Sequence, residues 1–177
     1  MRYILILSLL LSVLSCRSSH DTQRANVLTA EGNRLIEREA WVTQEWTGEY
    51  GKAFTPRNRA KFPSNREVLR VHAENIIKLL GQSAALRSEA AGKYEEASRL
   101  LADGKEKQFT TLLASSFRKD VEATELLKEQ VGLVHKDDIK DHKTFNESFM
   151  NLAQLIEQKI KERDALQAEG KTIIGYK

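Results

Sequence analysis

Three side chains in one eight-residue stretch have the chemistry of metal ligands. His135, Asp138 and His142 lie in His135-Lys136-Asp137-Asp138-Ile139-Lys140-Asp141-His142. On a helix they would fall at i, i+3 and i+7 and share one face, where two imidazoles and a carboxylate can hold zinc or another divalent ion. The same stretch also reads as a junction between helices, where aspartate serves as a cap. His142 precedes Phe145 by three residues and Phe149 by seven, so it can simply close an apolar stripe. The junction reading is the stronger of the two, and no metal or cofactor is expected. A di-iron bundle needs Glu-x-x-His pairs, which this chain lacks. Gly-x-Ser-x-Gly, the P-loop and Gly-x-Gly-x-x-Gly are absent as well, so no nucleophile or phosphate cradle stands out. The expectation is a protein that is not an enzyme.

Two further groups of residues suit binding rather than catalysis. Trp46, Tyr50 and Phe54 share a helix face at i, i+4 and i+8, with Trp41 close by. Aromatics at this spacing form core, or else a partner-binding patch, since Trp and Tyr are common binding hot spots. Arg57, Arg59, Lys61, Arg66 and Arg70 follow within fourteen residues, with Glu67 the only acid among them. Such a patch attracts anions. The partner-binding set read from the sequence is therefore Trp46, Tyr50, Phe54, Arg57, Arg59, Lys61 and Arg66. The net charge of +3 is small and the signs are interspersed, so a nucleic-acid binder is not expected.

These residues need a scaffold, and the pattern predicts an all-α one. The chain has only two prolines, Pro56 and Pro63, and is rich in helix formers. No segment alternates with period two. A first helix is expected over 24–52, where about 29 residues rise roughly 43 Å. A Pro-containing loop is expected over 54–65, and Ser64-Asn65-Arg66-Glu67 matches a capping box for the second helix. That helix carries Leu69, Ala73, Ile76, Leu80, Ala84, Ala91, Tyr94 and Ala97 in steps of three and four, interrupted by Arg87, whose head is expected to stay wet while its stem packs. A third helix is expected over 105–134 with Phe109, Phe117 and Val131 on its stripe, and a fourth with Phe145, Phe149, Leu152 and Ile156. The fourth starts at a cap on Asp137 or at the box Thr144-Phe145-Asn146-Glu147. Residues 170–177 are expected to be a short frayed or docked tail. Short connections favour antiparallel neighbours, giving an elongated antiparallel three- or four-helix bundle with long helices, closed on itself or completed by a second copy.

The N-terminus is a separate unit. Met1-Arg2 is a basic start, and residues 3–14 are apolar but too few to cross a bilayer, which takes about 20. Small Ser15 precedes Cys16, the only cysteine. The run Val13-Leu14-Ser15-Cys16 resembles the lipobox of bacterial lipoproteins. The resemblance implies a signal peptide over 1–15, cleavage before Cys16, lipidation of its thiol, and a membrane anchor of two or three acyl chains. The expected organisation is that signal peptide, a lipidated tether over 16–23 and a bundle over 24–177. Arg17 in place of the Asp that retains lipoproteins at the inner membrane implies, by the same resemblance, an outer membrane position facing the periplasm.

The final Gly175-Tyr176-Lys177 is similar to the end of the murein lipoprotein, whose terminal lysine is joined to peptidoglycan; this chain differs in length, in its proline loop and in its broken heptads. The expected function is a non-catalytic envelope lipoprotein that presents a bundle as a binding or scaffolding module. Its partners would be the membrane through the lipid, and a protein or anionic envelope polymer at the basic loop. The alternatives are a self-associating homo-oligomeric spacer or wall tether, and a small-ligand or metal-binding bundle.

Overall fold

The computed structural model describes residues 19–175, so Cys16, the signal segment and Lys177 lie outside the described residues. Four long helices dominate: α1 (Ser19–Ala53), α3 (Arg66–Leu100), α4 (Lys105–Gly132) and α5 (His142–Ile173). A short α2 (Pro56–Arg59) sits in the first connection, and a 3-10 turn (Leu133–His135) follows α4. The all-α bundle expected from the sequence is the fold observed, with four long helices.

The ion pairs give the direction of each neighbour. Glu31 pairs with Lys93 at 2.8 Å, Glu39 with Arg87 at 2.9 Å and Glu49 with His72 at 3.3 Å, so α1 and α3 run antiparallel. Across α3 and α4, Arg118 pairs with Glu95 and Thr124 accepts from Arg87; across α4 and α5, Glu122 pairs with Lys159 and Asp120 with Arg163; both pairs of helices are again antiparallel. Thus α1 packs along α3, α3 along α4 and α4 along α5. Each helix needs this packing, because one amphipathic helix alone is marginal in water.

The core lies in three parts. The largest is at the end carrying α2 and the α4–α5 connection, here termed the distal end. It gathers Phe54, Phe62, Leu69, Ile76, Phe145 and Phe149, among others. A second part around Leu35, Ala90, Tyr94 and Ala114 lies nearer the start of α1, and a third joins Ala25, Leu28 and Ala97. The lower parts use small residues, so the helices come close. Gly32 shows this: a Cβ there would lie 2.9 Å from Cζ of the buried Tyr94 ring.

Several boundaries differ from expectation. α1 already begins at Ser19, so 19–23, expected as tether, belongs to the helix. The Ser64 capping box does not form. Asn65 flanks α3 without a side-chain cap bond, because Ser64 Oγ turns back to donate to the Lys61 carbonyl and Asn65 Nδ2 donates to that of Asn58 at 2.8 Å. Thr55 instead caps α2, accepting from the Asn58 amide at 3.1 Å. α5 starts neither at Asp137 nor at Thr144. Asp141 caps it, accepting from both the Thr144 amide and the Thr144 hydroxyl at 2.9 Å. The amide bond is the main reason the Asp141 carboxyl titrates below its ordinary range. At the other end of the chain α5 runs to Ile173, with Gly170 buried against Phe109.

Candidate functional site

Between the first and second parts of the core lies a layer of charge, one residue from each long helix. Glu39 of α1 and Asp120 of α4 are buried, at 5% and 6% exposure. Arg87 of α3 bridges them, reaching Glu39 at 2.9 Å and Asp120 at 3.8 Å, and Arg163 of α5 closes on Asp120 at 2.9 Å. Ser83 and Thr43 also donate to Glu39, and Thr124 accepts from Arg87 at 3.3 Å. The head of Arg87 is therefore paired inside the bundle and not held in water, because two buried acids face it. Burial pushes the Asp120 carboxyl above its ordinary range, against the pull of Arg87 and Arg163. Two acids and two guanidiniums thus face one another across the four long helices, and an arrangement that left one of them buried without a partner would be costly.

The distal end takes up most of the sequence-predicted binding set. Phe54 is buried, stacked on Tyr50 at 5.4 Å and Phe149 at 5.9 Å. Tyr50 donates to Gln130 at 2.9 Å, and burial raises its phenol. Trp46 packs against the same core, its indole N–H donating to Thr43 at 3.2 Å. Three of the basic residues are also engaged internally. Arg59 lies over the Phe149 ring at 4.5 Å and donates to Asn146 at 3.4 Å. Arg66 lies over Phe62 at 4.6 Å and donates to the Ile139 carbonyl. Arg70 donates to the Val134 carbonyl at 3.1 Å and pairs with Glu67 and Asp137. Arg59 thus ties the first connection to α5, and Arg66 and Arg70 tie the start of α3 to the α4–α5 connection. Arg57 and Lys61 are exposed, and no ion pair among the described residues engages them.

A third arrangement was not expected. The aromatic group divides, and Trp41 turns outward with 72% of its surface exposed. It lines an open groove of about 550 Å³ between α1 and α3, with Gln44, Glu45, Asn75 and Leu79. Gly48 lies in the lining, and a Cβ there would meet nothing within 4 Å. At one end of the groove Glu49 receives both His72 and Lys52, which hold its carboxyl below the ordinary range. The spacing of Trp41, Gln44, Glu45 and Gly48 already put them on one face of α1. What the sequence could not reveal is that this face points away from the core.

His135 ends the 3-10 turn, Asp138 lies in the following connection and His142 opens α5, so the three do not share a helix face. Among the described residues no group of three His, Cys, Asp or Glu side chains converges on a metal position. None of the described helices is long and apolar enough to cross a membrane. No protein-family model, curated protein or solved structure matches the chain.

Proposed function

We propose that this chain is a cell-envelope lipoprotein anchored through Cys16, whose bundle serves as a non-catalytic binding or scaffolding module. The observation that carries the reading is the run Val13-Leu14-Ser15-Cys16 behind the apolar residues 3–14. Further support is the start of α1 at Ser19, three residues beyond that cysteine, which would join the lipid to a stiff rod. A 35-residue helix rises about 52 Å, so an upright bundle carries its distal end about that far from the anchoring membrane. There the exposed Arg57 and Lys61 face outward as the free part of the basic loop, suited to an acidic protein surface or an anionic envelope polymer. The non-catalytic reading draws on the charge layer, whose acids are held against guanidiniums.

The test is the mass of the N-terminal peptide of the protein taken from native membranes. A diacylglyceryl-modified Cys16 peptide supports the anchor and the compartment. An unmodified peptide starting beyond Cys16 sinks the lipoprotein reading. The basic loop is tested separately with Arg57→Glu/Lys61→Glu. This variant keeps the wild-type melting temperature and loses its envelope partner in crosslinking; full retention of crosslinks removes the loop from the binding surface.

A further inference from the structure

We propose that the groove between α1 and α3 is a saccharide-binding site with Trp41 as its stacking platform. An indole ring is a large apolar surface that normally seeks cover, yet this one is 72% exposed. Its polar neighbours are equally unengaged. Among the described residues, the side chains of Trp41, Gln44, Glu45 and Asn75 make no hydrogen bond or ion pair. The surface between α4 and α5 differs, since Lys119, Lys159, Glu122 and Glu162 interlock there. The groove thus gathers one free aromatic face, two free carboxamides and one free carboxylate.

The chemistry of the lining selects the ligand class. A pyranose has a flat C–H face and an edge of hydroxyls that both donate and accept. A lone indole covers the face, while Gln44 and Asn75 each supply donors and an acceptor, and Glu45 adds acceptors. A docking helix would want a continuous apolar stripe, but Trp41 and Leu79 are the only large apolar side chains in the lining. An aromatic cage for a quaternary amine would want more rings than one. The groove is open rather than enclosed, which suits a short run of sugar units lying along the surface. Gly48 leaves the backbone of α1 bare beside that path. This inference does not depend on the lipid anchor, since no residue of the groove lies near Cys16 in the chain.

The test is titration of the full chain in detergent micelles with chitotetraose, maltotetraose and soluble muropeptide fragments, read by the indole N–H resonances of Trp41 and Trp46. The expected result is a saturable shift of the Trp41 resonance with at least one of these sugars, while that of Trp46, bonded to Thr43, stays in place. Trp41→Ala abolishes binding, measured by calorimetry, without moving the melting temperature, because its ring is mostly in solvent. Gln44→Ala/Asn75→Ala weakens binding on the order of tenfold, as expected for the loss of two modest hydrogen bonds. No shift with any of the three up to about 20 mM, well above millimolar affinity, overturns the site. Unchanged affinity in Gln44→Ala/Asn75→Ala overturns it too, as does Trp41-dependent dimerisation without a response to sugar. Each result stands whether or not Cys16 is found lipidated.

Discussion

Replacing Arg87 with methionine isolates the charge layer. Methionine keeps most of the apolar stem and removes the guanidinium, whose contacts are Glu39 at 2.9 Å, Asp120 at 3.8 Å and Thr124 at 3.3 Å. Removing one partner of a buried ion pair typically costs about 3–5 kcal/mol, because the other charge stays buried without compensation. Here the cost belongs at the lower end of that range. Glu39 retains Ser83 and Thr43 as donors, and Asp120 retains Arg163 at 2.9 Å. We expect Arg87→Met to lose about 3 kcal/mol. For a chain of this size each kcal/mol shifts the melting temperature by about 2–4 °C, so the loss amounts to about 6–12 °C. Urea melts of the wild type, Arg87→Met, Glu39→Gln and the double variant complete a cycle. Neutralising Glu39 as well removes the stranded charge, and the double variant is expected within about 1 kcal/mol of the wild type. A loss below about 1 kcal/mol in Arg87→Met alone would refute the reasoning, since it means that water already screens the layer. A double variant as unstable as Arg87→Met would refute it differently, by assigning the cost to packing of the arginine stem.

Asp120 carries a pH consequence of opposite sign to most acids. Its folded-state pKa is raised by burial, so the native state holds this proton more tightly than the unfolded chain. The corresponding stability is present in full below the unfolded value, near 3.9, and is lost as pH rises through the higher folded value. Asp120→Asn mimics the protonated form; we expect it to stay within about 1 kcal/mol of the wild type at pH 7 and to remove this component from the pH profile of urea melts. A loss above about 3 kcal/mol, the scale for breaking a buried pair, contradicts this. Gly32→Ala places a methyl 2.9 Å from the Tyr94 ring, whereas at Gly170 the closest approach is 3.2 Å, to the Phe109 ring. Overpacking costs about 1–3 kcal/mol, so thermal melts should show Gly32→Ala as the more damaging of the two. Tyr50→Phe leaves Gln130 Oε1, in a side chain 1% exposed, without the donor it has at 2.9 Å; an unsatisfied buried group costs about 1–3 kcal/mol, and equal stability in urea melts would show that water replaces the phenol.

The apolar stripes were legible because each is a property of one helix. Leu69, Ala73, Ile76, Leu80, Tyr94 and Ala97 recur at helical spacing, and all are buried in α3. Phe145, Phe149 and Leu152 do the same in α5. Helix starts were harder, because a capping motif specifies a local bond that a competing partner can take. Ser64 had the Lys61 carbonyl within reach and Thr144 had Asp141, and a carboxylate at the N-terminus of a helix is favoured by the helix dipole as well. Aromatics at matching spacing did not separate by role either. Trp46, Tyr50 and Phe54 turn toward the distal core, and Trp41 does not.

The charge layer shows why a site spread over four helices escapes a reading made one helix at a time. Arg87 alone looks like a defect in a stripe, and a long cation at such a position has an easy explanation in snorkelling. Asp120 falls beside Phe117 and Val121, Glu39 between Ile36 and Val42, and Arg163 between Ile160 and Leu166. Each is a charge set among the apolar positions of its helix. Individually these four are exceptions; together they are two acids and two cations, one on each long helix, and antiparallel pairing brings them to one level. A register slip of one helical turn in any pair would bury an acid or a guanidinium against aliphatic side chains, at a cost of several kcal/mol. The layer therefore penalises misalignment more than it stabilises the correct alignment. The stacked phenylalanines of the distal core and the fit of Tyr94 against Gly32 also set the register, and the charge that the stripes appear to have wrong adds to them a penalty for sliding at the level between the two.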